Sequence, residues 1–169
     1  MHISTKQKNH KGYSVMVQMP TGTGKTYVTA SVVKWFLDNH DQGEVWIVAH
    51  RRELVEQMQQ TLAKFCLDYG EKEMVLKAKV RIRVLSIQWL TRHVDELEKA
   101  GCTPGLIIVD EAHHAIADSY QDVFVRHEEA LKLGMTATPC RLAKKSFTGL
   151  FERLLVSPCT NDFIMRGFL

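Results

Sequence analysis

The chain has 169 residues, of which 45% are hydrophobic and 24% are charged, a composition typical of one domain with a buried core. Lys and Arg total 22 and Asp and Glu total 19, and the net charge of +3 does not by itself indicate a nucleic-acid partner. No apolar stretch approaches the roughly 20 residues that span a bilayer, and residues 1–10 lack the apolar segment of a signal peptide. We therefore expect neither a membrane protein nor a secreted one.

The cysteines support the same expectation. They lie far apart along the chain, and their spacing fits neither a disulfide framework nor a set of zinc ligands. We predict a cytoplasmic protein with reduced thiols at Cys66, Cys102, Cys140 and Cys159.

Strands are predicted to alternate with helices through most of the chain. The predicted strands cover residues 14–18, 44–48, 79–85, 106–109 and 131–135, and the predicted helices lie at 25–38, around 54–65, at 88–99 and within 119–129. The strands are almost entirely apolar, and this pattern indicates parallel strands that helices cover on both faces. The predicted fold class is therefore α/β, doubly wound, with a mainly parallel sheet.

Large apolar residues mark the expected core. The first helix carries an apolar stripe at helical spacing, made of Val28, Val32, Trp35 and Phe36. Trp46 and Trp89 also have apolar surroundings, so we expect all three tryptophans in the core rather than as stacking platforms for bases. After Pro139 the pattern weakens, and residues 147–169 are predicted as a short helix, an apolar segment and a terminal helix.

The first predicted strand runs directly into a glycine-rich loop, and a helix follows. Glycines let successive backbone N–H groups turn toward an anion, and the helix N-terminus adds a partial positive charge. The residues predicted to surround the phosphates of a nucleotide are Pro20, Thr21, Gly22, Thr23, Gly24, Lys25 and Thr26. Lys25 would reach the β- and γ-phosphates, and the Thr26 hydroxyl would bind Mg²⁺. The strict pattern has glycine where this chain has Met19, and a plain glycine-rich turn is the alternative.

Two carboxylates follow the predicted strand 106–109, at the edge of an open α/β sheet where ligands bind. Asp110 would hold Mg²⁺, directly or through water, and Glu111 would polarise the attacking water. A zinc site built from Glu111, His113 and His114 is the competing hypothesis. Adjacent histidines do not have the spacing of the helical zinc-protease motif, which disfavours that site.

Taken together, the motifs resemble those of superfamily 2 helicases and translocases, in particular the DEAH branch with its restriction-enzyme motors and DNA-repair helicases. Four segments carry the resemblance in the order that the family has. They are Pro20–Thr26 for motif I, Ala49–Leu54 for motif Ia, Asp110–His113 for motif II and Thr136–Thr138 for motif III. The segment Val84–Gln88 resembles a further strand-contacting motif less specifically.

The resemblance implies a first RecA-like lobe at residues 1–155, followed by a linker at 156–169, that uses ATP and Mg²⁺. It also implies a second RecA-like lobe, which supplies an arginine finger and for which the chain has no room. We therefore expect one monomeric lobe of a larger motor. The family's adenine-reading upstream segment has no match here, where only Gln7 is available. Family roles in coupling hydrolysis to movement would fall on His113, Thr136, Ala137 and Thr138.

By the same resemblance, Arg51, Arg52, Ser86 and Gln88 would contact a nucleic-acid strand. The alternative for the two arginines is a solvated first turn of a helix, where positive charge is mildly unfavourable. Lys79, Arg81 and Arg83 alternate with apolar residues, and we expect a solvated strand face there in preference to a strand-binding one.

The predicted function is therefore the ATP-binding lobe of a nucleic-acid helicase or translocase, with DNA favoured over RNA. One alternative is a nucleotide-gated module that binds a strand or a partner without turnover. Another is a phosphoryl-transfer enzyme that does not act on nucleic acid, although such an enzyme needs neither motif Ia nor motif III.

Overall fold

The computed structural model describes residues 12–65, 67, 80–112, 118–137 and 150–158. Its elements are β1 (Ser14–Gln18), α1 (Lys25–Asn39), β2 (Glu44–Ala49), α2 (Arg52–Lys64), β3 (Ile82–Ser86), α3 (Ile87–Lys99), β4 (Pro104–Asp110), α4 (Asp118–Arg126), β5 (Leu131–Thr136) and β6 (Arg153–Val156). The predicted alternation of strands and helices is confirmed within this range. Strand β3 begins at Ile82, later than predicted, and β6 was not predicted as a strand. The predicted terminal helix lies outside the described residues.

The six strands form one sheet in the order β3-β2-β4-β5-β1-β6, and every neighbouring pair is parallel. The predicted parallel α/β sheet is therefore confirmed. All the strands end at the same edge of the sheet, as parallel strands must. Strand β5 alone separates β1 from β4, with Gln18 beside Thr136 and Asp110 beside Met135.

Helices cover both faces of this sheet. Ala30 and Val33 of α1 pack in one core with Met58 and Leu62 of α2. Leu90 of α3 packs in a second core with residues of α4 on the opposite face. This arrangement confirms the doubly wound architecture. Within the part of the chain that is described, no helix is long and apolar enough to cross a membrane.

The predicted apolar stripe on α1 is partly wrong. Val28 is 36% exposed and Trp35 is 54% exposed, while the residues buried against the sheet are Thr29, Ala30, Val33 and Phe36. Apolar residues occur around most of this helix, so the spacing of the largest ones does not define the buried side. Of the other tryptophans, Trp46 is fully buried as predicted, and Trp89 is half-buried and stacks on His93.

The expected solvated face of β3 is also wrong for Arg83. Its side chain is 1% exposed and makes a two-point ion pair with Glu44, with Nε–Oε2 at 2.6 Å and Nη2–Oε1 at 2.8 Å. Trp46 Nε1 donates to the same carboxylate at 2.8 Å, and Arg83 Nη2 contacts Cys102 Sγ at 3.1 Å. Arg81 donates to the backbone carbonyls of Leu37 in α1 and of Gly43 before β2. Lys79 lies outside the described residues.

The buried pair gives a stability prediction. Glu44→Ala should leave the Arg83 cation buried without its carboxylate, and this should lower the free energy of unfolding by about 3 kcal/mol. Urea denaturation of the purified chain measures the change. The matched control is Asp95→Ala, which breaks the solvent-exposed pair with Arg126 and should change stability little. Equal effects of the two substitutions would contradict a structural role for the buried pair.

The described cysteine agrees with the predicted reduced thiols. Cys102 is a free, buried thiol. Burial and the neighbouring charge of Glu44 raise the pKa of this thiol, which disfavours the reactive thiolate. The other three cysteines lie outside the described residues.

Candidate functional site

The glycine-rich loop joins β1 to α1 at the carboxyl edge of the sheet. Gly22 and Gly24 have φ angles of 79° and 88°, in the left-handed region that favours glycine. A Cβ added at either position would meet nothing within 4 Å, so the backbone conformation rather than crowding selects glycine there. Thr23 Oγ1 donates to Pro20 O at 2.7 Å across the loop. The loop therefore has a defined turn, with exposed or half-buried residues throughout.

The first turn of α1 is suited to bind an anion. The backbone hydrogen bond from Val28 N to Gly24 O, at 3.0 Å, is the first of the helix, so the N–H groups of residues 25–27 have no partner within it. No acidic side chain lies in this turn, and Gly24 at the N-cap has no side chain to occupy those groups. The helix therefore presents unneutralised partial positive charge. Lys25 and Thr26, both half-buried, lie at its first two positions.

Met19, where the strict phosphate-loop pattern has glycine, does not obstruct the loop. Its side chain is 9% exposed and packs with Ala30 and Val33 in the core beneath α1. Its backbone N–H donates to Thr136 O at 2.9 Å. The Met19 side chain thus adds core packing. The backbone hydrogen bond, which a glycine could also make, attaches the start of the loop to β5.

The acidic pair lies at the end of β4. Glu111 follows the strand with φ at 52°, a left-handed conformation that is uncommon for a residue other than glycine. Its N–H donates to Asp110 Oδ1 at 3.0 Å. Such strained residues cluster at functional sites, where the surrounding structure holds them in place. Both residues are half-buried, so their carboxylates lie at the surface of the sheet edge rather than in the core.

Strand β5 lies between the loop and the acidic pair, and it ends in motif III. Thr136 is fully buried and accepts the hydrogen bond from Met19 N, and Ala137 follows it, half-buried. With neighbouring strands about 4.8 Å apart, β1 and β4 lie about 10 Å from each other. A triphosphate and one metal ion can span this distance. His113 and Thr138, also assigned to the site, lie outside the described residues.

The residues present fit a magnesium nucleotide. Mg²⁺ is bound by few protein oxygens and keeps several waters, and Thr26 and Asp110 offer one hydroxyl and one carboxylate. Among the described residues no group of three or more His, Cys, Asp or Glu side chains could hold a metal ion. Site roles for the individual residues nevertheless remain predictions.

Tyr120 of α4 is a residue that the sequence interpretation missed. It is 1% exposed, and its hydroxyl has no hydrogen-bond partner among the described residues. Burial and the nearby charge of Asp110 both raise the pKa of this phenol. No pattern in the sequence relates Tyr120 to Asp110, because their proximity arises from the packing of α4 against the sheet.

Because the hydroxyl has no partner within the described part of the chain, Tyr120→Phe is an informative substitution. Removing a buried polar atom that lacks a partner should raise the free energy of unfolding by about 1 kcal/mol. Thermal unfolding of the chain measures the change, and Tyr27→Phe, at an exposed tyrosine, is the control that should change nothing. A lower melting temperature for Tyr120→Phe would mean that the hydroxyl has a partner.

The predicted strand-contacting residues lie at the end of β3 and beyond β2 and β3, at the same edge of the sheet. Arg51 is exposed at the N-cap of α2, and Arg52 forms an exposed pair with Glu56 at 3.4 Å. Gln88 Nε2 donates to His50 O at 3.1 Å. A cavity of about 200 Å³ lies beside them, lined by His50, Ile87, Gln88, Thr91, Arg92, Ser119 and Tyr120.

Ser86 has a structural role in this region. Its hydroxyl oxygen accepts from Trp89 N at 3.3 Å and caps the N-terminus of α3. Sequence reasoning assigned Ser86 to nucleic acid and did not identify this cap. The serine directly before the apolar helix is the signal that could have identified it.

A parallel sheet with a phosphate loop after β1 and an acidic pair at the end of β4 defines a nucleotide-binding lobe of the RecA-like class. The chain belongs to the family described as type III restriction enzyme, res subunit, whose model matches residues 2–141. It has the fold of the first RecA-like lobe of superfamily 2 helicases, and the family and the helicase relatives indicate an ATP-binding lobe.

Two curated relatives match the chain over most of its length. The chain is 30% identical over 142 residues to a 51.5 kDa protein of a Lactococcus phage. The matched region covers 83% of this chain and 27% of the relative. It is 26% identical to the mouse ATP-dependent RNA helicase DHX58, over 86% of this chain and 25% of that protein. The chain thus spans about a quarter of the length of these relatives.

Solved structures share the fold. The helicase domain of Hef from Pyrococcus furiosus has a TM-score of 0.70 and is 22% identical in sequence. The match covers 88% of this chain and 36% of the Hef chain. The SWI2/SNF2 ATPase core of Sulfolobus solfataricus, solved in complex with double-stranded DNA, has a TM-score of 0.64 and 17% identity, over 83% and 31%. At these identities the likeness concerns the fold alone.

Proposed function

We propose that this lobe hydrolyses ATP with Mg²⁺ and drives a nucleic-acid helicase or translocase, for which DNA is the favoured substrate. One observation carries the proposal. The phosphate loop and the acidic pair lie at the same edge of the sheet, separated only by β5. Binding of phosphate at the loop would therefore bring the terminal phosphate toward Glu111.

Each polar residue has a distinct role in this proposal. Lys25 and the loop N–H groups would bind the β- and γ-phosphates, and Thr26 and Asp110 would hold the Mg²⁺. The bound metal would neutralise charge that develops on the phosphates. Glu111 accepts a proton from the attacking water, and its position next to the metal-holding carboxylate suits it to that task.

A connection through β5 would couple the nucleotide to movement. The hydrogen bond from Met19 N to Thr136 O joins the start of the phosphate loop to motif III. A shift of the loop on binding or hydrolysis would act directly on Thr136 and on Ala137 beyond it. His113 and Thr138 would complete this coupling.

A second RecA-like lobe would complete the catalytic site. In phosphoryl transfer an arginine finger contributes about 10³- to 10⁵-fold to the rate. Without the second lobe, this lobe should therefore bind Mg-ATP weakly and turn ATP over hardly at all. The lobe is also proposed to be a monomer. Cytoplasmic location remains part of the proposal.

Nucleic acid would bind along the edge formed by Arg51, Arg52, Ser86 and Gln88. Exposed cations at this edge can contact phosphates independently of the base sequence. The DNA in the Sulfolobus structure supports DNA as the substrate, and the name of the mouse relative is the reason to test RNA beside it.

The test replaces Arg51 and Arg52 together by Ala and follows strand binding against salt concentration. We expect weaker binding for all sequences and a slope of log K against log salt that is shallower by about 2. The control replaces Lys99 and Arg126 by Ala, which removes the same charge from exposed positions at the ends of α3 and α4. An unchanged slope in the Arg51 and Arg52 variant would favour a solvated helix start.

A further inference from the structure

An exposed aromatic residue lies directly after the phosphate loop. Tyr27 is the third residue of α1 and follows Thr26, and it is 58% exposed. Lys25 and Thr26 before it are half-buried, so Tyr27 is the first side chain of the helix that projects well into solvent. Burial of such a ring is favourable, and an aromatic residue kept in water beside a binding loop is available to a ligand.

A second ring fixes the position of the first. Tyr27 and Phe65 meet with their ring centroids 5.6 Å apart and their planes at 64°, an edge-to-face contact. Phe65 itself is anchored, because it is half-buried and packs against the core of α1 and α2. The contact therefore orients the Tyr27 ring while more than half of the residue stays accessible.

The direction of the bound nucleotide is set by the acidic pair. Water attacks the terminal phosphate, so that phosphate must face Glu111 on the β4 side of the loop. The nucleoside end must then leave from the other end of the phosphate-binding segment. That end is the first turn of α1. Tyr27 carries the last of the three N–H groups that have no hydrogen-bond partner within the helix.

We propose that Tyr27, held by Phe65, contacts the nucleoside of the bound nucleotide and stacks on its base. This inference rests on the proposed nucleotide function of the loop. Aromatic stacking adds affinity without reading the hydrogen-bonding groups of the base, since every base has a π-face. Tyr27 would therefore strengthen nucleotide binding without selecting one base over another.

The test compares ATP with inorganic tripolyphosphate, which offers phosphates and no base. Calorimetry of the 169-residue chain with Mg²⁺ should show that Tyr27→Ala weakens ATP binding about tenfold and leaves tripolyphosphate binding unchanged. Tyr27→Phe retains the ring and should bind ATP within about twofold of wild type. Trp35→Ala is the matched control, because Trp35 is 54% exposed on the same helix, about 12 Å further along it.

Two results would overturn the inference. One is unchanged ATP binding by Tyr27→Ala, and the other is an equal loss for ATP and tripolyphosphate, which would place the effect in the loop. Failure of the underlying proposal has a different signature. Tripolyphosphate binding that survives Lys25→Ala, or a wild-type chain that binds neither compound, would contradict the phosphate-loop function itself.

Discussion

Glu111→Gln should retain Mg-ATP and lose hydrolysis in a two-lobe protein that contains this chain. The amide has nearly the shape of the carboxylate but cannot accept a proton from water. General base catalysis typically contributes about 10²- to 10⁴-fold, so the turnover number should fall by that factor. Affinity should change little, because the proposed contacts of Asp110 with the metal and of Lys25 with the phosphates would remain. Single-turnover hydrolysis and equilibrium binding separate the two effects.

The control for this substitution removes the same charge elsewhere. Glu96→Gln lies on the exposed side of α3 and should leave both binding and turnover unchanged. Equal turnover in Glu111→Gln and wild type would remove Glu111 from the catalytic role. Loss of ATP binding together with turnover would instead give Glu111 a part in holding the metal.

Lys25→Ala should abolish measurable ATP binding by the folded chain. Two charge-assisted hydrogen bonds to the phosphates would be lost, which corresponds to a reduction of about 100-fold in affinity. The fold should persist, because Lys25 lies at the start of α1 and is half-buried at the sheet edge rather than in the core. Circular dichroism checks the fold, and calorimetry measures the affinity.

Lys34 offers a matched control on the same helix. It forms an exposed pair with Asp38 at 3.1 Å, nine residues beyond the loop lysine, and Lys34→Ala should bind ATP as wild type does. Unchanged ATP affinity in the folded Lys25→Ala variant would refute the phosphate-loop assignment. Equal losses in both variants would indicate a general effect of helix charge.

The elements that build the site could be predicted because each leaves a local signal. Gly22 and Gly24 before a helix, and Asp110 after an apolar strand, are patterns within a few residues of each other. The rule that ligands bind at the carboxyl edge of a parallel sheet then brings them together without knowledge of the strand order. The fold confirms the parallel sheet on which that reasoning depended.

What the sequence left undetermined depends on contacts between distant residues. Arg83 alternates with apolar neighbours, as a solvated cation would, and only the position of Glu44, 39 residues away, shows that it is buried. Likewise, the position of β4 between β2 and β5 follows from crossover connections rather than from any local pattern. Trp35 was wrongly predicted to lie in the core. The side of α1 that packs against the sheet includes the small residue Ala30, so the large apolar residues do not mark that side.

The most direct test of the central claim is a crystal structure of the chain with Mg²⁺ and a non-hydrolysable ATP analogue. We predict phosphate oxygens within hydrogen-bonding distance of the N–H groups of residues 22–26 and of Lys25 Nζ, with the metal beside Thr26 and Asp110. Phosphates bound elsewhere would contradict the claim. The clearest such result would be a nucleotide in the cavity of about 840 Å³ at the opposite edge, lined in part by Gly43, Arg81 and Arg126.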